Sequence, residues 1–322
     1  MMHRMALYFW ENGGPVQGSP TCSAGSEPAE RGAMEKLIIT VTVDSSMSYP
    51  GNPLMPPIED VEAIAVQYVD AVKAGASIAH HHGVHHLEDK IQPDGRRLSK
   101  IDDDGWKNLT ELIRAECDAV IQFGIASARL EEKIALMDLG PDMMSYCFNV
   151  HDEYFRPDDR FPANEMYALH PRDELERFCR AAREHGVKPE AECFYTGAFW
   201  NVGFIRDAGV LDDPVWATLF LGWPGGAWTP PTPDGLRFMT DNAPAYMNYN
   251  ISVMDPMHWR ILAMAIAMGA HVRVGWEDYP YLPSGELAKS NAELVNVVVG
   301  MAEAVGREVA TPDEARRIIG LS

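Results

Sequence analysis

The sequence predicts an α/β fold, a single (β/α)8 TIM barrel, and three observations lead to this prediction. From Met34 onward, short apolar segments rich in β-branched residues alternate with longer amphipathic segments, as in βα units that form a parallel sheet. Eight such units can be counted along the chain. The length of 322 residues accommodates one barrel, since barrels commonly need roughly 250 residues. We therefore expect one barrel domain over residues 34–322, with no internal linker.

In chain order, the predicted strands are Leu37–Val43, Ser77–Ala79, Ala119–Phe123, Met143–Cys147, Lys188–Phe194, Val215–Leu221, Ala245–Asn250 and Val272–Trp276. The predicted helices are Glu59–Ala74, Asp103–Glu116, Glu131–Leu139, Arg172–His185, Gly197–Ala208, Asp234–Asp241, Pro256–Met268 and Glu286–Ala304. Pro57 precedes the first helix, and Gly75, Gly186 and Gly269 follow the ends of others, which fits the residue preferences of helix termini.

An open, doubly wound sheet is the structural alternative to the barrel. Such a sheet usually has fewer strands, and the Gly-rich phosphate loop that accompanies it is not found after the first predicted strand. The closed barrel is therefore favoured.

Residues 1–33 differ in composition from the rest of the chain. They lack the long apolar core of a signal peptide and pass into a stretch of Gly, Ser, Pro and Glu. We interpret them as a disordered extension, or as the result of a translation start placed too far upstream of Met34.

Composition and charge exclude several classes of partner. The formal charge is 27 − 47 = −20, so phosphate backbones and anionic lipid surfaces would be repelled. No apolar run reaches the ~20 residues that a membrane span needs. Five cysteines without CxxC spacing argue against a disulfide framework. We expect a soluble protein of the reducing cytoplasm that binds neither nucleic acid nor membranes.

A dense histidine cluster ends the second predicted strand. Five of the eleven histidines fall within the seven positions 80–86. Side chains alternate along a strand, so His80 and His82 face one way and His81 the other. Active sites of such barrels lie at the carboxyl ends of the strands. A histidine-rich solvated loop is the alternative, and we expect His85 and His86 to face solvent or to support the other histidines.

The end of the eighth predicted strand offers the carboxylate that two imidazoles need to complete a divalent metal site. Glu277 lies on the same face as Arg273, about two strand spacings of ~4.8 Å from the histidines in a closed barrel. Asp278 follows and is expected to pair with Arg273. Adjacent acids are commonly solvated, but this pair coincides with the predicted active face. The sequence thus predicts a metal site of His80, His82 and Glu277.

Two further features lie at the predicted mouth of the barrel. Glu190 and Glu192 end the fifth strand, and a carboxylate directed into a barrel is costly unless it is paired or functional. We expect one of them to contact a substrate. The glycines of the loop 221–226 would allow a ligand to approach the backbone closely, although a plain turn explains them equally.

The chain resembles the beta-keto acid cleavage enzymes, the family of 3-keto-5-aminohexanoate cleavage enzyme, from about Met34 to its end. The resemblance rests on the His-x-His motif and on the segments Lys188–Phe194, Leu221–Gly226 and His271–Asp278. It implies a zinc-bearing (β/α)8 barrel, commonly a homo-oligomer such as a dimer or tetramer. The implied reaction converts a β-keto acid and acetyl-CoA into acetoacetate and a new acyl-CoA.

By matching motif, the resemblance also implies the roles of individual residues. His80, His82 and Glu277 would hold the zinc, and Asp278 with Arg273 would form the acid/base dyad that generates the acetyl-CoA enolate. Glu190 would contact the variable end of the keto acid, and Glu192 is a further candidate contact. A histidine–carboxylate donor set also suits Fe2+ and other divalent metals, so zinc follows from the resemblance alone.

The sequence departs from the family pattern in several loops near the predicted site. Val43–Met47 stands where the family has Gly-Ala-Glu, so that acid is either absent or supplied by Asp44, with Ser46 as a neighbouring candidate contact. The loops that begin at Gly124 and Asn149 also differ. We therefore keep two alternatives: a zinc hydrolase or aldolase-type lyase that works without CoA, and a metal- or ligand-binding barrel without catalytic activity.

Overall fold

The computed structural model describes residues 34–43, 52–92, 97–155, 164–222 and 228–321. Within these ranges, eight parallel strands close into a barrel. They are β1 (Ile39–Thr42), β2 (Ile78–His81), β5 (Val120–Phe123), β6 (Met143–Cys147), β9 (Lys188–Cys193), β10 (Val215–Leu221), β11 (Met247–Val253) and β12 (His271–Val274). They follow one another around the barrel in chain order, and β12 pairs with β1 to close it. The predicted fold and all eight predicted strands are confirmed.

The helices that follow the strands surround the barrel. They are α1 (Val61–Lys73), α2 (Asp103–Glu116), α3 (Leu130–Leu136), α4 (Arg172–Glu184), α5 (Ala198–Asp207), α6 (Pro233–Asn242), α7 (His258–Met268), α8 (Asn291–Ala304) and α9 (Pro312–Ile319). A 3-10 turn, Met137–Leu139, extends α3. Among the described residues, no helix combines the length and apolar character needed to cross a membrane.

Side-chain caps explain why two helices start later than expected. The carboxylate of Asp60 accepts a hydrogen bond from the backbone N–H of Ala63, which fixes the start of α1 at Val61. The hydroxyl of Ser290 accepts from the backbone N–H of Glu293 in the same way, so α8 begins at Asn291 rather than at the expected Glu286. At the start of both helices, the side-chain cap rather than the apolar pattern determines the first helical residue.

Three elements were not expected from the sequence. Two antiparallel hairpins, β3 (Val84–Ile91) with β4 (Arg97–Asp102) and β7 (Val150–Phe155) with β8 (Asn164–Leu169), follow the ends of β2 and β6. Their strands are polar and lie outside the barrel, so they lack the apolar pattern of a buried strand. Helix α9 closes the amino-terminal end of the barrel, where Ala315 and Ile319 pack among buried side chains of the strands.

The interior of the barrel differs from the layer between the strands and the helices. The outward-facing strand residues, such as Val41 and Ile121, join the main apolar core. Inward-facing positions are mostly polar and fully buried, as at Thr42, Gln122 and Asn250. A polar barrel interior that leads to the carboxyl ends of the strands is suited to binding a polar ligand.

Gly275, the residue after β12, packs closely against the backbone of β1 at Thr42. A Cβ atom at this position would lie 1.8 Å from the backbone oxygen of Thr42. We predict that Gly275→Ala lowers the free energy of unfolding in urea by about 3 kcal/mol, because neither backbone can move without opening the barrel. Gly300→Ala is the control, since α8 leaves open space there, and it should stabilise the fold by about 0.5–1 kcal/mol. Equal free energies of unfolding for Gly275→Ala and Gly300→Ala would contradict the proposal that barrel closure requires a glycine at position 275.

Candidate active site at the carboxyl ends of the strands

Three ligand atoms from both sides of the barrel closure converge at its carboxyl end. His80 is the third residue of β2, His82 follows that strand directly, and Glu277 lies just beyond β12. One ligand atom from each of these residues lies within 4.8 Å of the other two. The pairing of β1 with both β2 and β12 produces this arrangement. The predicted donors are thus brought together as a group that could hold a metal ion.

Hydrogen bonds behind the two imidazoles decide which ring nitrogens face the site. His80 Nδ1 lies 2.8 Å from the amide oxygen of Gln122, and His82 Nδ1 contacts the backbone oxygen of Gly124. Both oxygens can only accept, so each Nδ1 carries the proton and each Nε2 presents a lone pair. Burial, together with the charge of Arg273, lowers the pKa of His80 well below its usual value, which keeps this ring neutral.

The remaining donor atoms fit a divalent cation. His80 Nε2 is buried and has no hydrogen-bond partner among the described residues. His82 Nε2 faces Glu277 Oε2 at 3.0 Å, close to the about 3.3 Å expected between two donors of a tetrahedral zinc site. When both rings are neutral, two lone pairs and a carboxylate converge here, an arrangement that a divalent cation between them would stabilise. The residues present therefore match a two-histidine, one-carboxylate metal site.

His81 faces away from the site, as strand alternation predicts. It is buried between the rings of Trp106 and Phe123, and its two nitrogens bond the backbone N–H of Gly83 and the hydroxyl of Thr110. Burial lowers the pKa of His81 to about 3. It is a neutral core residue that anchors β2 to the surrounding helices.

The two other histidines of the cluster have separate environments. The side chain of His86 is exposed and lies 3.6 Å from Glu59. His85 is buried, and its Nδ1 lies 3.1 Å from the backbone oxygen of His82. His85 therefore supports the backbone of a candidate ligand, which agrees with one of the two roles expected for it.

Arg273 joins the candidate ligand Glu277 to the neighbouring acid Asp278. Its guanidinium donates to both carboxylate oxygens of Asp278, at 2.9 Å and 3.1 Å, and also to Glu277 Oε1. The ring of Phe220 lies beneath it, 5.2 Å from the guanidinium carbon. Arg273 and Asp278 are fully buried, so the expected ion pair is present and little water competes with it.

The two carboxylates that share Arg273 titrate in opposite directions. Burial alone would raise the pKa of Glu277, but the charge of Arg273 outweighs it and holds this pKa below its usual range. Burial raises the pKa of Asp278 to about 6, against the opposing charge of Arg273. A carboxylate with a pKa near neutrality suits proton transfer at physiological pH. Asp278 is therefore the candidate acid/base, and Glu277 remains ionised as a metal ligand would.

The acids of β9 occupy different positions from each other. Glu190 is buried, and its Oε2 accepts hydrogen bonds from Gln122 and from Trp216, so it lies behind His80 rather than at the mouth. Glu192, two residues further along the same face, is partly exposed. Asp44, Ser46 and residues 223–226 lie outside the described residues. Substrate contacts by Glu190, Glu192, Asp44 and Ser46 remain predictions.

Two residues of this site were not expected from the sequence. Gln122 holds His80, and Gly124 leaves room for the same ring, since a Cβ at Gly124 would lie 2.4 Å from His80 Cε1. A glutamine inside the apolar segment Val120–Phe123 was the available signal for the first of them. Recognising it required the register that pairs Gln122 with His80.

An aromatic wall borders the site on the side of β9 and β10. The rings of Phe194, Phe220 and Trp228 lie within 5.6 Å of one another, and His151 stacks on Phe194 at 5.3 Å. Because Phe220 also contacts Arg273, this wall is continuous with the polar site. The arrangement is a buried arginine–carboxylate cluster and a group that could hold a metal ion, beside an apolar surface.

Comparisons with known proteins identify relatives of this chain. A family model described as beta-keto acid cleavage enzyme matches residues 36–321. The 3-keto-5-aminohexanoate cleavage enzyme of Fusobacterium nucleatum is 33% identical over 293 residues, which cover 89% of this chain and 99% of that protein. The 3-dehydrocarnitine:acetyl-CoA trimethylamine transferase of Rhizobium meliloti is 28% identical over 278 residues, 80% of this chain and 88% of that protein. The solved structure of ObcA with oxaloacetate has a TM-score of 0.62 at 18% identity, over 84% of this chain and 68% of that chain, and supports the fold alone.

Proposed function

The chain belongs to the beta-keto acid cleavage enzyme family, and from this premise we propose that it converts a β-keto acid and acetyl-CoA into acetoacetate and a new acyl-CoA. The observation that carries the proposal is the position of Asp278. Its carboxylate is buried, bound by Arg273, and next in sequence to the candidate metal ligand Glu277. A proton acceptor is thereby fixed beside the place where a keto acid would bind.

We propose that His80, His82 and Glu277 hold a zinc ion. Bound there, the ion would polarise the ketone and carboxylate oxygens of the keto acid as a Lewis acid. Arg273 keeps Glu277 ionised and holds Asp278 in a fixed orientation, because one guanidinium donates to both carboxylates. The same contact ties the acid/base to the metal-binding group.

Atom balance indicates which proton Asp278 removes. The acetyl group of acetyl-CoA must enter acetoacetate intact, so the nucleophile is C2 of the β-keto acid, the carbon between its ketone and its carboxylate. This differs from the enolate of acetyl-CoA that the family resemblance led us to expect. Asp278 takes the C2 proton, C2 bonds to the thioester carbonyl carbon, and the CoA thiolate leaves.

The second half of the reaction cuts the original carbon skeleton. The released thiolate adds to the ketone carbon of the former keto acid, and the bond between that carbon and C2 breaks. The acyl group stays on CoA, while the carbon that leaves takes the proton back from Asp278 and becomes part of acetoacetate. No net oxidation or net proton transfer occurs. Glu192 is our candidate for a contact to the variable end of the keto acid.

The reaction can be tested with a panel of β-keto acids incubated with and without acetyl-CoA labelled with carbon-13 in the acetyl group. We expect acyl-CoA and acetoacetate by mass spectrometry only when acetyl-CoA is present, and the label should appear in the acetoacetate. His82→Ala serves as the blank.

Two outcomes would contradict the proposal. Cleavage of a keto acid without acetyl-CoA would favour a lyase or hydrolase on the same barrel. Label found in the acyl-CoA product would show that the acetyl group does not enter acetoacetate, and the assignment of the C2 proton to Asp278 would fall.

A further inference from the structure

A buried chain of hydrogen bonds runs from Trp216 on β10 to the candidate metal ligand His80. Trp216 Nε1 donates to Glu190 Oε2 at 2.9 Å, and Gln122 Nε2 lies 2.8 Å from the same oxygen. Gln122 Oε1 lies 2.8 Å from His80 Nδ1. All four side chains are at most 1% exposed, so bulk water does not compete for these bonds. Four strands of the barrel are thus linked in one polar chain.

The direction of every bond in this chain follows from its first member. An indole nitrogen can only donate, and a carboxylate oxygen accepts. Gln122 must therefore turn its amide N–H groups toward Glu190, which leaves its amide oxygen facing His80. An amide oxygen only accepts, so the proton of the His80 ring lies on Nδ1. With Glu190 ionised, the order of donors and acceptors permits no other neutral tautomer of His80 without breaking a buried bond.

We propose that Trp216, Glu190 and Gln122 are positioning residues that hold His80 in the Nδ1–H form, with the lone pair of Nε2 directed into the metal site. The inference rests on the metal site within the proposed function and not on the reaction itself. It gives Glu190 a role other than the substrate contact implied by the family resemblance. Groups that bond the far side of a ligating histidine commonly change metal affinity 10–100-fold.

This chain of hydrogen bonds matters because His80 could not bind a metal ion through Nε2 in its other neutral tautomer. With the proton on Nε2, His80 would direct an N–H at the site, where a cation needs a lone pair. The other histidine cannot compensate, because His82 already supplies another of the three candidate donors. A buried ring without a fixed partner on Nδ1 would distribute between both forms and bind the metal more weakly.

Two measurements on the full-length protein test this chain. The first is the tautomer of His80, read from nitrogen-15 chemical shifts of selectively labelled histidines, with His80→Gln to assign the signal. The second is the Zn2+ dissociation constant from competition with a chelator. We expect Gln122→Met to populate the Nε2–H form and to weaken Zn2+ binding about 10–100-fold. Glu190→Met should act in the same direction, whereas Glu190→Gln, which can still accept from both donors, should retain the native tautomer.

Gln67→Met is the matched control. Gln67 also accepts hydrogen bonds through its side-chain amide, from Asn291, but it lies on α1. The Gln67→Met variant should have an unfolding temperature lowered about as much as that of Gln122→Met. It should leave the tautomer of His80 and the affinity for Zn2+ unchanged. Native tautomer and native Zn2+ affinity in Gln122→Met would overturn the inference. If the wild-type protein bound no Zn2+, the proposed metal site would be wrong. The tautomer of His80 in the variants would still show whether Trp216, Glu190 and Gln122 fix the position of its proton.

Discussion

Asp278→Asn is expected to lower kcat by about 10²- to 10⁴-fold, the range that general base catalysis contributes. Asparagine keeps the size of the side chain and can still accept one hydrogen bond from Arg273, so the barrel should fold normally. It cannot take a proton from carbon. Burial raises the pKa of Asp278 to about 6, which leaves the native residue ionised at neutral pH and basic enough to act.

The loss can be located by following hydrogen exchange at C2 of the keto acid in heavy water without acetyl-CoA. Wild-type protein should accelerate this exchange, and Asp278→Asn should not, while its Zn2+ affinity stays close to that of the wild type. Asp142→Asn is the control. Asp142 accepts from the backbone N–H of Ile121 at 2.7 Å and lies at the opposite end of the barrel, just before β6. Undiminished exchange in Asp278→Asn would assign the base to another residue.

The barrel could be predicted from sequence because each of its strands carries a strong local signal. Val215–Leu221, for example, is apolar at every position except Thr218, and it is buried along its entire length. Such segments need no knowledge of their partners to be recognised. The hairpin of β3 and β4 carries no comparable signal, because its mostly polar strands pair with each other outside the barrel. Whether this hairpin forms depends on where the preceding strand, β2, ends.

The candidate ligands were predictable for a similar reason. Histidine and glutamate, the residue types at positions 80, 82 and 277, commonly bind metal ions. The alternation of side chains along a strand predicted that they share one face. Gln122 and Trp216 have no such chemical signature. Their roles arise from the register between strands, which brings Gln122 beside His80 and Trp216 beside Glu190. A register is a property of the closed sheet, so the residues that support the ligands could not be derived from local sequence.

Arg273 and its two carboxylate partners were less predictable than the candidate metal ligands but more predictable than the residues that support those ligands. An arginine two residues from a glycine and four from an acid is an ordinary pattern in a strand and its following turn. Its meaning lies in burial, since at 2% exposure an unpaired guanidinium would be very costly. At least one carboxylate therefore had to be close to it, and the structure places two there, of which Glu277 faces the histidines. The sequence could suggest the Arg273–Asp278 pair but not that Glu277 would share the same donor.

Removal of the metal is expected to abolish turnover. Protein stripped by a chelator should lose at least about a thousandfold in rate, equivalent to about 4 kcal/mol of transition-state stabilisation. Added Zn2+ should restore the wild type, and Mg2+, which binds imidazole poorly, should not. His82→Ala should show the same loss without recovery at stoichiometric Zn2+, because two donors remain where three are needed.

His86→Gln separates the metal site from the histidine cluster as a whole. His86 belongs to the same cluster as His82 but is exposed and lies beside Glu59, so its replacement should leave rate and Zn2+ affinity close to those of the wild type. If His86→Gln lost the metal as His82→Ala does, the ion would be held by a histidine-rich loop at the surface. If stripped protein kept its full rate, Asp278 and Arg273 would have to act without a cation. Loss confined to His82→Ala would instead tie the reaction to the three donors that barrel closure brings together.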